Sequence, residues 1–183
     1  MLTVNQLWTR FPGEYNDVRH ELIGGEHFVT AHPVTRHQLL VGRLWYEIEA
    51  HLRGNPNIGR VFGVPLDVVF SDHDVVAPDL ILIADAQNEI LTAKNVQGAP
   101  TLVVEVLSPS TRKRDVGIKR DLFDRGGVRE YWIVDGILNR IQVYRRILGG
   151  ALTMAEQLEA STGDVLTTPI LSGFELRLMP LFL

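Results

Sequence analysis

The sequence has no cysteine among its 183 residues. This excludes disulfides, thiolate nucleophiles and zinc sites built from cysteine. Apolar runs long enough to cross a bilayer are also missing, and the first residues lack the basic and apolar stretches of a secretory signal. An excess of positive charge is missing as well, since the net charge is −4. That balance argues against a protein that coats nucleic acid. We expect a cytoplasmic protein that has no membrane partner.

The length fits a single domain, and a chain with 45% hydrophobic and 22% charged residues can bury an ordinary core. We divide this domain into three parts. Residues 1–54 form an N-terminal hairpin and helix, residues 55–135 form the core, and residues 136–183 form peripheral strands.

The predicted elements begin with a hairpin over residues 21–29, where two adjacent glycines can take positive φ. Thr35 and Gln38 have the spacing of a capping box, and apolar residues at helical spacing follow until Gly54. Three extended runs come next, over residues 61–70, 75–84 and 101–107.

A second helix, ending near Arg125, precedes a fourth strand over residues 130–134, and further strands are predicted over 141–145 and 170–183. The pattern predicts an α/β fold with a central mixed sheet in the order helix-strand-strand-strand-helix-strand. The third and fourth strands would be joined by a parallel crossover.

Two carboxylates interrupt the apolar strands. Asp79 lies among eight apolar residues in the run 75–83, and Glu105 lies in the run 101–107. A buried ionised carboxylate is costly unless it is paired, hydrogen-bonded or bound to a metal. Two on neighbouring strands would repel each other unless a cation lay between them. This predicts a magnesium site, because Mg²⁺ takes oxygen ligands and keeps several waters. A strand-end turn for Asp79 and an ion pair for Glu105 remain the structural alternatives.

Three further residues are candidates for the same site. The helical neighbours of Lys119 are mostly apolar, so its ammonium either reaches water or points inward, where it could stabilise a reacting phosphate. Asp115, one turn earlier, could pair with it. His37 lies on the apolar side of its helix, as a core histidine or a functional one. The basic cluster of residues 112–114 and 119–120 is either a solvated face or a phosphate contact.

These stretches resemble the Uma-two family, the restriction-endonuclease branch of the PD-(D/E)xK nuclease superfamily. The matching stretches are Pro78-Asp79, residues 105–111, Asp115, Lys119, residues 127–135, residues 21–26, His37 and residues 173–176, and they cover nearly the whole chain. The resemblance implies a restriction-endonuclease-like core and hydrolysis of phosphodiester bonds in nucleic acid, expected to be DNA, with Mg²⁺ or Mn²⁺.

The resemblance also implies roles for individual residues. Asp79 and Glu105 would be metal ligands and Lys119 the catalytic lysine, with Glu26, His37 and Asp115 as additional site residues. The apolar tail, residues 178–183, folds back onto the domain or packs against a second copy, and we expect a homodimer.

Three departures from the family pattern leave a second hypothesis open. The superfamily normally has its lysine two residues after the glutamate, where this chain has Leu107, so Lys119 would act as a substitute from the following helix. The hairpin turn has Gly24 instead of aspartate, and a tyrosine often found after the helix lysine is Phe123. The alternative is a non-catalytic nucleic-acid-binding or assembly module that retains the nuclease fold.

Overall fold

The fold is built around a six-stranded mixed sheet covered on both faces. The computed structural model describes residues 1–12, 18–30, 33–147 and 149–183. Its helices are α1 (Val4–Arg10), α2 (Thr35–Gly54), α3 (Arg112–Arg114), α4 (Arg120–Gly126) and α5 (Leu178–Phe182), with a π-helical segment (Asp115–Lys119) between α3 and α4. Within those described ranges, no helix has the length and apolar character needed to cross a membrane.

Its strands run through the whole chain and form three sheets. They are β1 (Arg19–Ile23), β2 (Glu26–Thr30), β3 (Gly59–Gly63), β4 (Val68–Ser71), β5 (Asp74–Val76), β6 (Leu80–Ala84), β7 (Val96–Gln97), β8 (Leu102–Val106), β9 (Glu130–Asp135), β10 (Arg140–Arg146), β11 (Leu152–Glu159), β12 (Val165–Thr167) and β13 (Glu175–Arg177).

The central sheet has the spatial order β11-β10-β9-β8-β6-β3. Strands β8 and β9 are parallel, and every other neighbouring pair is antiparallel. The helical stretch from α3 to α4 joins the parallel pair, which confirms the predicted crossover. The sheet is therefore mixed, as expected for an α/β fold.

Two of the predicted extended runs are each divided between two sheets, so their predicted boundaries were wrong. The run 61–70 contains parts of β3 and β4, and the run 75–84 contains β5 and β6. Strands β4 and β5 belong to a second sheet, in the order β2-β1-β5-β4-β7. Pro65 and Pro78 lie in the two breaks, because proline has no N–H to donate to a ladder.

Side chains of the central sheet alternate between two cores. Leu80 and Leu82 face a core shared with α2 and α5, whereas Ile81 and Ile83 face a core shared with α4 and the second sheet. Asp79 precedes Leu80 by one residue, so the alternation turns its side chain towards the second of these cores.

The N-terminal hairpin is present as predicted, and its turn is formed by Gly24 at φ +58° and Gly25 at φ +76°. Helix α2 ends at Gly54, also as predicted. The capping box was wrong, because α2 already begins at Thr35 and Val34 is its N-cap without a side-chain hydrogen bond. Thr35 is thus inside the first turn, where its hydroxyl cannot cap.

The C-terminal tail folds back onto the domain. Only residues 175–177 of the predicted terminal strand region form a strand, and α5 follows with Leu178, Leu181 and Phe182 buried. Arg43 donates to the carbonyl of Leu181 at 2.8 Å, which fixes α5 against α2. The tail therefore buries Leu178, Leu181 and Phe182 within the domain, whereas Met179 and Leu183 are exposed. The homodimer stays a prediction.

Candidate active site

Asp79 directly precedes β6, and Glu105 lies on the neighbouring strand β8. Both are buried, with 1% and 3% of their surfaces exposed. Leu80 pairs with Val104 in the antiparallel register of β6 and β8. Continuing this register by one residue sets Asp79 opposite Glu105, a position in which Cβ atoms are about 4.5–5.5 Å apart. The two side chains line one cleft of about 150 Å³, here called the acidic cleft.

The Asp79 carboxylate is held from three directions. Oδ2 accepts a hydrogen bond from the backbone N–H of Val106 at 2.9 Å and lies 2.9 Å from Nε2 of His37. Oδ1 accepts from Nη1 of Arg19 at 3.1 Å. Burial alone would raise the pKa of Asp79, but His37, Arg19 and the Val106 amide outweigh it and lower that pKa. Asp79 is thus ionised and fixed in orientation.

The Glu105 carboxylate is paired with Lys119, which points inward and is 2% exposed. Nζ of Lys119 donates to Oε1 of Glu105 at 2.6 Å and also lies 2.8 Å from Glu21 and 3.7 Å from Asp115. Burial alone would lower the pKa of Lys119, but these carboxylates together raise it above its ordinary value. Lys119 is therefore a permanent cation beside the acidic cleft.

Besides Glu105 and Asp115, Lys119 contacts Glu21, a site residue that the sequence did not predict. The predicted Glu26 does not contact Lys119. Glu21 is on β1 and 1% exposed, and it accepts a hydrogen bond from the N–H of Ala77 at 3.1 Å. Glu26 is exposed on β2. The family pattern drew attention to the acid beside the turn glycines, but strand β1 faces the site and β2 is the outer strand of its sheet.

The site contains four carboxylates, here called the four-acid cluster. It has one more carboxylate than permanent cations. The acids are Glu21, Asp79, Glu105 and Asp115, and the cations are Arg19, Arg114 and Lys119. The four carboxylates therefore outnumber the three permanent cations by one, and Nε2 of His37 lies 2.9 Å from Asp79.

Two observations locate this excess charge. Burial, together with the carboxylates of Asp115, Asp79 and Glu21, raises the pKa of Glu105 well above its usual value despite Lys119. In addition, Oδ1 of Asp115 and Oε2 of Glu21 are buried oxygens that accept no hydrogen bond from any described residue. The Glu21 oxygen is 3.1 Å from Arg114, but the two groups are not aligned for a hydrogen bond.

The chemistry of this donor set fits a hard divalent cation. Mg²⁺ binds through one or two carboxylates and completes its shell with water and substrate oxygens, so Asp79 and Glu105 suffice. No group of three or more histidine, aspartate or glutamate residues with metal-binding geometry occurs among the described residues.

The basic cluster is mostly engaged with acids of the chain itself. Arg112 binds Asp135 at 2.6 Å, Arg114 lies 3.1 Å from Glu21, and Lys119 is buried in the four-acid cluster. Of the three basic residues of α3, only Lys113 is exposed. The cluster as a whole is therefore not a solvated face, and a phosphate contact stays a prediction.

Phe123, the position of the family's tyrosine, is fully buried and packs against Tyr131, with ring centroids 4.9 Å apart. The Tyr131 hydroxyl donates to the carbonyl of Asp115 at 3.0 Å. A second aromatic residue thus anchors the π-helical segment, and Phe123 fills core.

Comparisons with known proteins identify a family and a fold for this chain. A family model described as "Uma2: Putative restriction endonuclease" matches residues 5–179. The crystal structure of a "putative nuclease belonging to DUF820" from Anabaena variabilis superposes with a TM-score of 0.80, covering 100% of this chain and 98% of the other. The two sequences are 19% identical, so this likeness shows the fold. No curated protein matches the chain.

Proposed function

The chain belongs to the Uma2 family, and from this premise we propose that it is a metal-dependent endonuclease. It hydrolyses phosphodiester bonds in nucleic acid, with DNA as the expected substrate. The observation that carries the proposal is a pair of buried carboxylates, Asp79 just before β6 and Glu105 on the adjacent β8. They line one cleft, and a buried lysine is bound to Glu105.

Asp79 and Glu105 are the residues that would hold Mg²⁺ or Mn²⁺. Such an ion polarises a phosphoryl oxygen and lowers the pKa of a bound water. The repulsion among these carboxylates supports this assignment, because a bound cation would remove the part of it that raises the pKa of Glu105.

The other side chains act on charge and orientation. Lys119 keeps a fixed positive charge beside the cleft and stabilises the negative charge that develops on the phosphate. Arg19 is 24% exposed and lines the cleft, so its guanidinium can contact a phosphate while it holds Asp79. His37 orients Asp79 and is a positioning residue.

Purified protein is incubated with supercoiled plasmid and with single-stranded circular DNA in Mg²⁺, in Mn²⁺ and in EDTA. We expect metal-dependent cutting, and in Asp79→Asn a loss of at least about 100-fold, the effect of losing several kcal/mol of transition-state stabilisation. Asparagine is chosen because its carbonyl oxygen can still accept the Val106 hydrogen bond.

The matched control is Asp121→Asn. Asp121 is an aspartate on α4 whose side chain is 62% exposed and contacts Arg120. Its substitution should leave cutting unchanged. Cutting of equal rate in Asp79→Asn and wild type would contradict the proposal, because the nicks would then come from another enzyme.

A specific observation favours the alternative of a non-catalytic nucleic-acid-binding module. Arg19 and Lys119 already neutralise Asp79 and Glu105, so these acids can be folded without a metal ion. Titration calorimetry separates the two functions. A nuclease should bind Mn²⁺ in wild type and lose that binding in Asp79→Asn, whereas an inert module gives no heat in either.

A further inference from the structure

A second and larger cavity opens next to the acidic cleft. It has a volume of about 570 Å³ and lies between α1, β1 and the loop from β3 to β4. Four residues line both cavities, namely Arg19, Thr30, Pro33 and Asp79. The two spaces are therefore adjacent, and Asp79 lies at their junction. Hydrolysis at the acidic cleft makes no use of the larger space.

Aromatic side chains form a wall of this space, here called the aromatic cavity after Trp8, Phe11 and His20. The rings of Phe11 and His20 are stacked, with centroids 4.3 Å apart and planes 15° apart. Trp8 donates from Nε1 to Asp67 at 2.9 Å, which fixes the indole. All three rings are partly exposed. Flat, ordered and partly exposed rings are the surfaces on which proteins stack nucleobases.

The positive charge of Arg19, at the junction of the two cavities, suits the phosphate of a nucleotide whose base is stacked there. Arg19 lies between the two cavities, and its Nη1 is bound to Asp79 and to the carbonyl of Ala77, each at 3.1 Å. Guanidinium has five N–H donors, so further donors can reach a phosphate. Burial alone would lower the pKa of Arg19, but Asp79, Glu105 and Glu21 raise it, so the charge is permanent.

We propose that the aromatic cavity binds one unpaired nucleobase of the strand whose phosphate occupies the acidic cleft. The inference rests on the proposed function and narrows its substrate. A base in an intact duplex is stacked and paired, so it cannot enter a cavity in the protein. The substrate is therefore single-stranded, or a duplex from which one nucleotide is extruded.

The test measures base stacking without hydrolysis, in EDTA and with the full chain. A short DNA strand carrying 2-aminopurine at one position is titrated with protein, as a single strand, as a perfect duplex and as a duplex with 2-aminopurine opposite an abasic site. Anisotropy of a terminal dye reports binding, and 2-aminopurine emission reports stacking. We expect 2-aminopurine emission to be quenched on the single strand, whose bases are unpaired. Quenching on the abasic duplex as well would show that the cavity also accepts an extruded base.

Phe11→Leu and Phe11→Ala test the wall, with leucine retaining most of the packing volume. Both should weaken single-strand binding, by roughly 5- to 100-fold for alanine, the range expected from losing one stacked base. Tyr46→Ala is the matched control, because Tyr46 is an aromatic residue on α2 that is 65% exposed and lines neither cavity. It should bind like wild type.

Saturated binding without quenching, or equal affinity of Phe11→Leu and wild type, would overturn the inference. Tighter binding to the perfect duplex than to the single strand would do the same. These outcomes are separate from those of the nuclease assay. Plasmid cutting without quenching rejects the base cavity and keeps the nuclease, whereas quenching without cutting rejects the nuclease and keeps the cavity.

Discussion

Removing the charge of Lys119 tests whether the four-acid cluster depends on a buried internal cation. In Lys119→Met the alkyl stem is nearly retained, but Glu105 and Glu21 lose an ammonium 2.6 and 2.8 Å away. Both carboxylates are at most 3% exposed, so water cannot replace the lost contact. Breaking a buried ion pair by removing one partner costs about 3–5 kcal/mol.

This cost converts to a lower melting temperature. For a chain of 183 residues, 1 kcal/mol corresponds to roughly 2–4 °C, so Lys119→Met should melt about 6–20 °C lower in EDTA at neutral pH. The double variant Lys119→Met/Glu105→Gln removes one of the stranded carboxylates as well. It should recover about 0.5–3 kcal/mol, the usual range of coupling between contacting groups.

The assay is thermal and urea denaturation followed by circular dichroism, on wild type, both variants and Lys113→Met. Lys113 is an exposed lysine six residues earlier, so its substitution should change the free energy of unfolding by no more than about 0.5 kcal/mol. If Lys119→Met were no less stable than Lys113→Met, Lys119 would reach solvent, and the electrostatic account of the site would be wrong.

Two further predictions concern pH and His37. The raised pKa of Glu105 means that the folded protein binds a proton that the unfolded chain lacks, so stability in EDTA should rise as pH falls from neutral towards the ordinary glutamate range. Below that range it should fall, because Asp79 and Glu21 have lowered pKa values and lose their partners on protonation. Mg²⁺ should raise the melting temperature more at pH 7.5 than at pH 5. A melting temperature in EDTA that does not change with pH would contradict the predicted titration of Glu105. His37→Ala should weaken Mg²⁺ binding or cutting by roughly 10- to 100-fold, with partial rescue in His37→Gln, because it removes a group that orients Asp79. Calorimetry with equal Mg²⁺ affinity, together with an unchanged cutting rate, would assign His37 to packing alone.

The sequence predicted those parts of the site that depend on local contrast. Asp79 and Glu105 stand out because strands that are apolar on both faces leave no solvated side for a carboxylate. Lys119 stands out because its helical neighbours are apolar, and it points inward as one of the two stated alternatives. Each of these residues is recognised from its neighbours within a few positions of the sequence, so the tertiary fold need not be known.

Glu21 and Arg19 could not be found in the same way. They are on an amphipathic hairpin strand, where charged residues are ordinarily solvent-facing. Their burial comes from the pairing of β1 with β5, whose Leu22 to Val75 contact spans 53 positions of the chain. Only this long-range pairing brings Glu21 to the N–H of Ala77. The same limitation explains the merged strands, because membership of one sheet or another is a tertiary property.

Strand β11 was missed for a different reason. Of its eight residues only Leu152 is buried, so it has no apolar alternation. It is an edge strand of the central sheet, held by backbone hydrogen bonds to β10. Backbone pairing leaves little trace in composition, which is why exposed edge strands are difficult to predict from patterns of hydrophobicity.

The π-helical segment explains how Arg114 and Lys119, five residues apart, both reach the same carboxylate. In an α-helix each residue turns by about 100°, so Arg114 and Lys119 would point roughly 140° apart. Here both contact Glu21, at 3.1 and 2.8 Å. The wider π-helical turn reduces the angle between them and lets one helix face carry two cations towards the same carboxylate. π-Bulges are frequent at functional sites. Lys119 thereby reaches Glu105 across the crossover, while the strand position, Leu107, is free to pack in the core.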